Sequence, residues 1–320
     1  MIFFGYLPLK IIRELNKKTN TYFLAILTCL LWSTVYASIK IGLKYEAPLY
    51  FASKRFIIAG VILLPFAGKL RDYISVIRDH TKLLLQVTVL QVIMNYLLFY
   101  LGMNLVPGAL GAIIVGSQPL ITAIVAAVLT DNNTVTRKKM FTIVSGLAGI
   151  VLINAGRQVL RLGSATELLG VILILGANIS TASSNVLVSV NNKNVNPVIL
   201  NSISLLAGGI IIFFLALILE KPAEEILPAS YWMSLLWLSF VAAFAFSTWY
   251  KLLQRPEVRV SELNLWKFLI PVFGAIISWI VIPEEKPDIM TVGGIVIIST
   301  SLLLFFSGIK GITFDRAINK

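Results

Sequence analysis

A polytopic all-α membrane protein, with ten transmembrane helices arranged as two inverted five-helix repeats (5+5), is the fold class this sequence predicts. Three observations lead there. The chain of 320 residues is 58% apolar and only 13% charged, with a mean hydropathy of +0.88. That excludes a water-soluble fold and leaves room for about ten to thirteen spans at ~20 residues each. Basic residues crowd into alternate connections between apolar stretches, and proline and polar positions recur between the two halves.

Apolar stretches bounded by charges or turn residues fall at 22–43, 49–67, 83–103, 107–129, 139–155, 168–190, 197–219, 231–250, 261–282 and 290–308, defining spans 1 to 10 in order. Short connections, such as Lys44 to Pro48 and Asn104 to Val106, make consecutive spans antiparallel neighbours and leave no soluble domain. Residues 1–21 are expected to be a cytoplasmic, interfacial segment. Met1 to Tyr6 are too short for a secretory signal, and Lys10, Arg13, Lys17 and Lys18 follow the apolar residues instead of preceding them. The first repeat is expected over 22–155, a non-cytoplasmic connector over 156–167, the second repeat over 168–308 and a cytoplasmic tail over 309–320.

Orientation follows from lysine and arginine placement. Of the 27, 18 lie before span 1, in the 2/3, 4/5, 6/7 and 8/9 connections and in the tail. Five (Lys44, Arg157, Arg161, Lys221, Lys286) lie on the other face and four (Lys40, Lys54, Arg55, Lys267) inside spans. Both termini are therefore expected in the cytoplasm. The net charge of +12 is thus dispersed over loops, with no aromatic-interleaved basic groove, so no nucleic-acid partner is expected. One cysteine, Cys29, and one histidine, His80, provide neither a disulfide framework nor a metal-ligand set. No G-x-x-x-x-G-K loop and no nucleophile–base constellation occurs in the spans. The chain is not expected to be an enzyme, and no cofactor is implied.

The halves resemble each other. Setting Pro119 on Pro271 carries Val106 onto Val258, Ala123 onto Ala275 and Asn95 onto Ser247. Setting Pro48 on Pro197 carries Ser53 onto Ser202, and in a separate register, setting Ser33 on Asn178 carries Tyr36 onto Thr181 and Lys40 onto Asn185. Because five is odd, the second copy enters the membrane upside down, the architecture of secondary transporters.

The sequence also resembles the EamA-type ten-helix members of the drug/metabolite transporter superfamily, over about 22–308. The resemblance rests on Leu31-Trp32-Ser33 with Lys40 downstream, Pro48 followed by Arg55, Ser117-Gln118-Pro119-Leu120, and Phe268-Leu269-Ile270-Pro271-Val272-Phe273-Gly274 followed by Glu284-Glu285. It implies a 5+5 inverted-repeat transporter with a central cavity, exporting small metabolites or amino acids, in a membrane such as the bacterial inner (plasma) membrane. Lys267 departs from the neutral residue expected in many relatives. An organic-phosphate or nucleotide-sugar exchanger, or a non-transporting membrane scaffold, remain the competing readings. The partner is a small molecule, anionic or zwitterionic, and both a monomer and a homodimer are compatible.

Candidate substrate-binding residues come from helical spacing. Ser33, Tyr36 and Lys40 on span 1, and Asn178, Thr181 and Asn185 on span 6, share i, i+3, i+7 faces. A polar stripe in a lipid-embedded helix turns toward protein or water, to line a cavity or to bond helices together. Trp32 borders the first stripe as a stacking or cation–π surface. Lys40 and Arg55 face either headgroups or an outer vestibule, whereas Lys54 is read as snorkelling. Asn264 and Lys267 share a face of span 9 with Pro271; Lys267 serves a cavity, reaches back to headgroups or pairs with Glu262. Gln91 and Asn95 on span 3, Ser247 on span 8 and Gln118 on span 4 complete the set. Pro119 and Pro271 are candidate hinges. Trp249 and Tyr250 are read as interfacial anchors, and Gly146, Gly149, Gly293 and Gly294 as close-packing positions.

Overall fold

The computed structural model describes residues 9–103, 105–106, 111, 114–130, 136–155, 165–191, 195–223, 226–281 and 289–307, among which every regular element is helical. Span 1 is α1 (Leu9–Ser33) followed by α2 (Val35–Gly42), span 2 is α3 (Pro48–Leu63), and span 3 is α4 (Leu70–Val87), a π-helical stretch (Thr88–Met94) and α5 (Asn95–Met103). The later part of span 4 is α6 (Gln118–Leu129), and span 5 is α7 (Arg137–Ala155). Spans 6 to 8 are α8 (Ala165–Val190), α9 (Pro197–Leu219) and α10 (Ala229–Leu253). Span 9 is α11 (Val260–Leu265), a 3-10 turn (Trp266–Phe268) and α12 (Leu269–Val281), and span 10 is α13 (Ile289–Ser307). Five helical stretches among the described residues are long and apolar enough to cross a membrane: Pro48–Phe66, Leu70–Met103, Ala165–Val190, Pro197–Leu219 and Ala229–Leu253.

Two boundaries differ from expectation. Helix α1 starts at Leu9 instead of near 22, because residues 9–21 are mostly competent helix formers whose polarity hides them from a hydropathy window. Helix α4 starts at Leu70 instead of 83, and its backbone departs from helical geometry at His80 (φ −131°, ψ 25°). Its first half is an amphipathic surface segment that bends there into the span.

Prolines start α3 and α9, where a missing N–H costs nothing. Glu220, just past α9, accepts the next two amides of α3: Leu49 N–H at 3.0 and 2.9 Å and Tyr50 N–H at 3.1 Å. At the opposite end, Asn196 caps α9 by accepting from Val198 N–H at 2.9 Å, and its amide donates to Ala67 O beyond α3 at 3.0 Å. Between these ends α3 and α9 run antiparallel in close contact. Ser202 donates to Gly60 O at 2.9 Å, and a Cβ on Gly209 would meet the Ile57 amide at 3.0 Å.

Helix α7 packs along α13, α5 against α8, α1 and α2 against α10, α6 against α8, and α1 against α12. The α7–α13 seam is a small-residue contact, since a Cβ on Gly149 would lie 2.8 Å from Gly294 O. One large apolar cluster gathers the ends of α1, α4, α6, α8, α9, α10 and α11 on the face that carries the connections 67–69 and 254–259, hereafter the basic-loop face. Toward the opposite face, a cluster of described residues joining Leu49 and Tyr50 of α3, Tyr100 of α5 and Ala216 of α9 lies beside two smaller groups. One joins Phe51 with Tyr231, Leu235 and Leu238; another joins Val106, Ile114 and Ile174.

Candidate functional site

A cavity of about 180 Å³ lies where the helices are least regular. That volume suits a small organic molecule, a cavity near 150 Å³ being enough for benzene. Four spans break at its level. Thr34 interrupts span 1, with Ser33 and Thr34 hydroxyls donating back to Leu30 O at 2.6 Å and Leu31 O at 2.8 Å. The π-helical stretch interrupts span 3, a turn at Ser117 precedes α6, and the 3-10 turn precedes α12. Irregular backbone at membrane depth persists only where protein or a cavity satisfies it. Here it does: Ile114 O, ahead of Pro119, accepts from Ser117 Oγ at 2.6 Å and Asn178 Nδ2 at 2.7 Å. Trp266 O, ahead of Pro271, accepts from Cys29 Sγ at 3.3 Å. Pro119 and Pro271 thus both sit in the first turn of a helix that restarts after a break.

Among the residues singled out from sequence, Trp32, Arg55, Gln91, Asn95, Gln118, Asn178, Thr181, Asn185 and Lys267 all line this one cavity. The span 6 stripe turns inward as a unit because each polar group meets another chain segment. Thr181 Oγ1 donates to Asn95 Oδ1 at 2.9 Å, and Asn185 Nδ2 donates to Asn264 Oδ1 at 3.3 Å. The π-helical stretch brings Gln91 and Asn95 onto the same wall, with Gln91 Oε1 buried and without a partner among the described residues.

Three sequence-derived candidates stand outside the lining. Ser33 is buried and satisfied by its own helix. Ser247 accepts from Asn201 Nδ2 at 2.9 Å, tying α10 to α9. Asn264 is fully buried behind Asn185, donating to Val260 O at 2.9 Å. The side chains of Tyr36 and Lys40 lie outside the described residues.

The cations have distinct fates. Lys267 Nζ donates to Gln118 Oε1 at 3.2 Å and lies 5.3 Å and 4.9 Å from the ring centroids of Trp32 and Trp249. The alternative pairing with Glu262 is absent, since Glu262 accepts from Arg259 at 3.1 Å. Arg55 is buried, its guanidinium 5.1 Å and 5.9 Å from the Phe56 and Tyr96 rings, and its Nε finds no acceptor among the described residues. Lys54 does not snorkel: it ion-pairs with Glu46, a buried carboxylate that also accepts from Tyr231 O–H. No aspartate or glutamate is among the described lining residues.

The aromatic wall escaped the sequence reading. Trp249 and Tyr250 are both buried at 1% exposure, which corrects the expectation of interfacial anchors. Trp249 lines the cavity with Phe246, Tyr96 and Phe99. Trp249 packs on Trp32, ring centroids 5.0 Å apart. Its only sequence signal is an i, i+3 aromatic pair, which a lipid-facing stripe shows equally.

The sequence profile of the EamA-like transporter family matches residues 19–155 and again 168–307. The uncharacterized transporter YvbV of Bacillus subtilis is 26% identical over 292 residues, covering 90% of this chain and 92% of that protein. YoaV of the same organism, also an uncharacterized transporter, is 22% identical over 84% of this chain and 90% of its own length. The uncharacterized inner membrane transporter YedA of Escherichia coli K12 is 28% identical over 59% of each chain. A solved crystal structure overlays 94% of this chain on 99% of its own with a TM-score of 0.75 at 15% identity, a likeness of fold.

Proposed function

Because this chain belongs to the EamA-like transporter family, with one family match in each half, we propose that it is a secondary transporter that exports small metabolites or amino acids by alternating access through the cavity. On this reading, residues 22–155 and 168–308 are inverted five-span repeats joined by 156–167, and both termini are cytoplasmic.

The observation that carries the reading is that the cavity wall repeats. At the offset that sets Pro119 on Pro271, the lining residues Val115 and Gln118 fall on Lys267 and Ile270. At the offset that sets Ser33 on Asn178, Trp32 falls on Ala177; all six line the cavity. The packing supports the same exchange. Adding five to a span number turns the α5–α8 contact (spans 3 and 6) into the α10 contact with α1 and α2 (spans 8 and 1). It turns the α6–α8 contact (4 and 6) into the α12–α1 contact (9 and 1). Contacts α3–α9, α7–α13 and α6–α11 map onto themselves. Two halves that differ only in conformation open a midplane site first to one side and then to the other when they trade those conformations.

Substrate held there displaces water between amide side chains from α8 and the π-helical stretch, with aromatic rings closing around its apolar part. The breaks before α6 and α12 provide backbone that moves without breaking a continuous helix. The test is a metabolite-wide comparison of media from cells carrying the empty vector, this protein, or Ala177→Trp, which fills the cavity without changing its charge. Solutes that accumulate only with the unaltered protein support export. Three indistinguishable profiles, with both proteins folded in the membrane, would refute it.

A further inference from the structure

The transported molecule's charge is written in the cavity wall. Arg55 and Lys267 both line it, one from each half of the chain, and among the described residues neither meets a carboxylate. The acids near the start of α3 are committed elsewhere: both oxygens of Glu220 accept amides of α3, and Glu46 is taken by Lys54 and Tyr231. A buried cation without a partner is retained in a membrane protein when something else neutralises it.

Among the described lining residues the charged groups are all donors, and the one buried acceptor without a partner, Gln91 Oε1, is neutral. Arg55 Nε is buried and has no acceptor among the described residues, although the guanidinium lies near the Phe56 and Tyr96 rings, which support a cation without neutralising it. Lys267 is likewise braced by Trp32 and Trp249 and satisfied by a single amide oxygen. Among the described residues, an ammonium group entering this chamber would meet two like charges and no carboxylate, whereas an oxyanion would meet a planar bidentate donor.

Resting on the transporter reading above, we propose that the cavity selects small organic anions, molecules bearing a carboxylate or phosphate oxyanion on an apolar or aromatic body and carrying no ammonium group. The oxyanion takes the Arg55 guanidinium, the body lies against the aromatic wall, and Lys267 sets the balance of charge at the inner end. One cation in each half gives the anion a partner on either side of the midplane as the halves exchange conformations.

Equilibrium dialysis of the purified full chain in nanodiscs, with matched probes, tests this. The trio 3-phenylpropionate, phenylalanine and phenethylamine varies charge on one skeleton, as does the trio indole-3-acetate, tryptophan and tryptamine; phenyl phosphate separates phosphate from carboxylate. The expected result is that anions bind about tenfold or more tightly than their zwitterionic and cationic counterparts. Arg55→Gln abolishes that advantage and Arg55→Lys keeps part of it. Unfolding of the unliganded variants verifies that each is folded. Anion affinity no better than the zwitterion's, no binding of any anion, or a preference unchanged in Arg55→Gln overturns the inference. None of these outcomes touches the Ala177→Trp export test, so failure of the charge assignment and failure of the transport reading are told apart.

Discussion

Replacing Lys267 by methionine separates a lysine kept for transport from one kept for the fold. A charge near the bilayer centre costs about 2.5–3.5 kcal/mol on insertion scales. Against that, the two indole faces at 5.3 and 4.9 Å contribute about 0.5–2 kcal/mol each. The hydrogen bond to Gln118 at 3.2 Å adds roughly 0.6 kcal/mol. The two sides nearly cancel, so the lysine contributes almost nothing to stability. Methionine keeps the unbranched stem and recovers about 0.3–1.5 kcal/mol of sulfur–aromatic contact. Lys267→Met is therefore expected to leave stability within about 1 kcal/mol of the parent, roughly 2 °C in melting temperature for a chain of this size, while abolishing export. The assay pairs thermal unfolding of the purified protein with export from cells. A fall of more than about 6 °C together with unchanged export would make Lys267 a structural brace and refute the reasoning.

Three further outcomes follow from the same contacts. Glu220→Ala strips two amides of α3 of their acceptor and is expected to cost about 2 kcal/mol in thermal unfolding, with Glu220→Gln losing roughly half as much. Gly149→Leu forces a side chain against the Gly294 carbonyl, 2.8 Å from where its Cβ would stand, and should cost about 1–3 kcal/mol or more by overpacking. Cysteines introduced in a Cys29→Ser background at Asp79 and Ser230, exposed at opposite faces, test orientation. Ser230→Cys is expected to react with a membrane-impermeant maleimide on intact cells, and Asp79→Cys only after permeabilisation.

How much of this was legible beforehand depends on what each side chain must satisfy. Asn178, Thr181 and Asn185 announce the cavity because an amide or hydroxyl in an apolar run needs a partner, and the i, i+3, i+7 spacing puts all three on one face. Ser33 obeys the same spacing and misleads, since a short hydroxyl can bond the carbonyl three residues back and then needs nothing from a cavity. Trp249 and Phe246 were illegible as lining residues because an aromatic ring carries the same hydropathy facing lipid, a cavity or a neighbouring helix. Lys54 misled for a different reason: its partner Glu46 lies in a connection eight residues away, and pairing across a turn leaves no periodic trace. The π-helical stretch that aims Gln91 and Asn95 has no sequence signature at all, whereas the break before α12 is marked by Pro271.

On the proposed transport reading, the distribution of apolar clusters says which way the chamber faces. Under exchange of the halves, the group of spans 1, 2 and 8 around Phe51 and Tyr231 has as its counterpart spans 6, 7 and 3. The group of spans 3, 4 and 6 around Val106, Ile114 and Ile174 corresponds to spans 8, 9 and 1. On the basic-loop face those two counterparts are fused: Ala25 and Cys29 of span 1, Leu83 to Val87 of span 3, Val186 of span 6, Ile199 of span 7, Leu252 of span 8 and Leu263 of span 9 belong to a single buried cluster. On the opposite face the two groups are separate clusters among the described residues, and side chains packed on each, Val35 and Ile39 on the one and Val115 on the other, line the cavity. Burial of apolar surface at about 25 cal/mol per Å² holds the basic-loop cluster together, and on the proposed inverted-repeat reading near-equivalent halves make the mirror arrangement close in energy. On the proposed alternating-access reading, interconversion would part the basic-loop cluster around Trp249 and Lys267 while the groups on the opposite face close over Arg55. On the proposed transport reading, the residues that bear charge in the wall are the ones at which each closure would form, and so the ones through which the proposed anion would bias which side is shut.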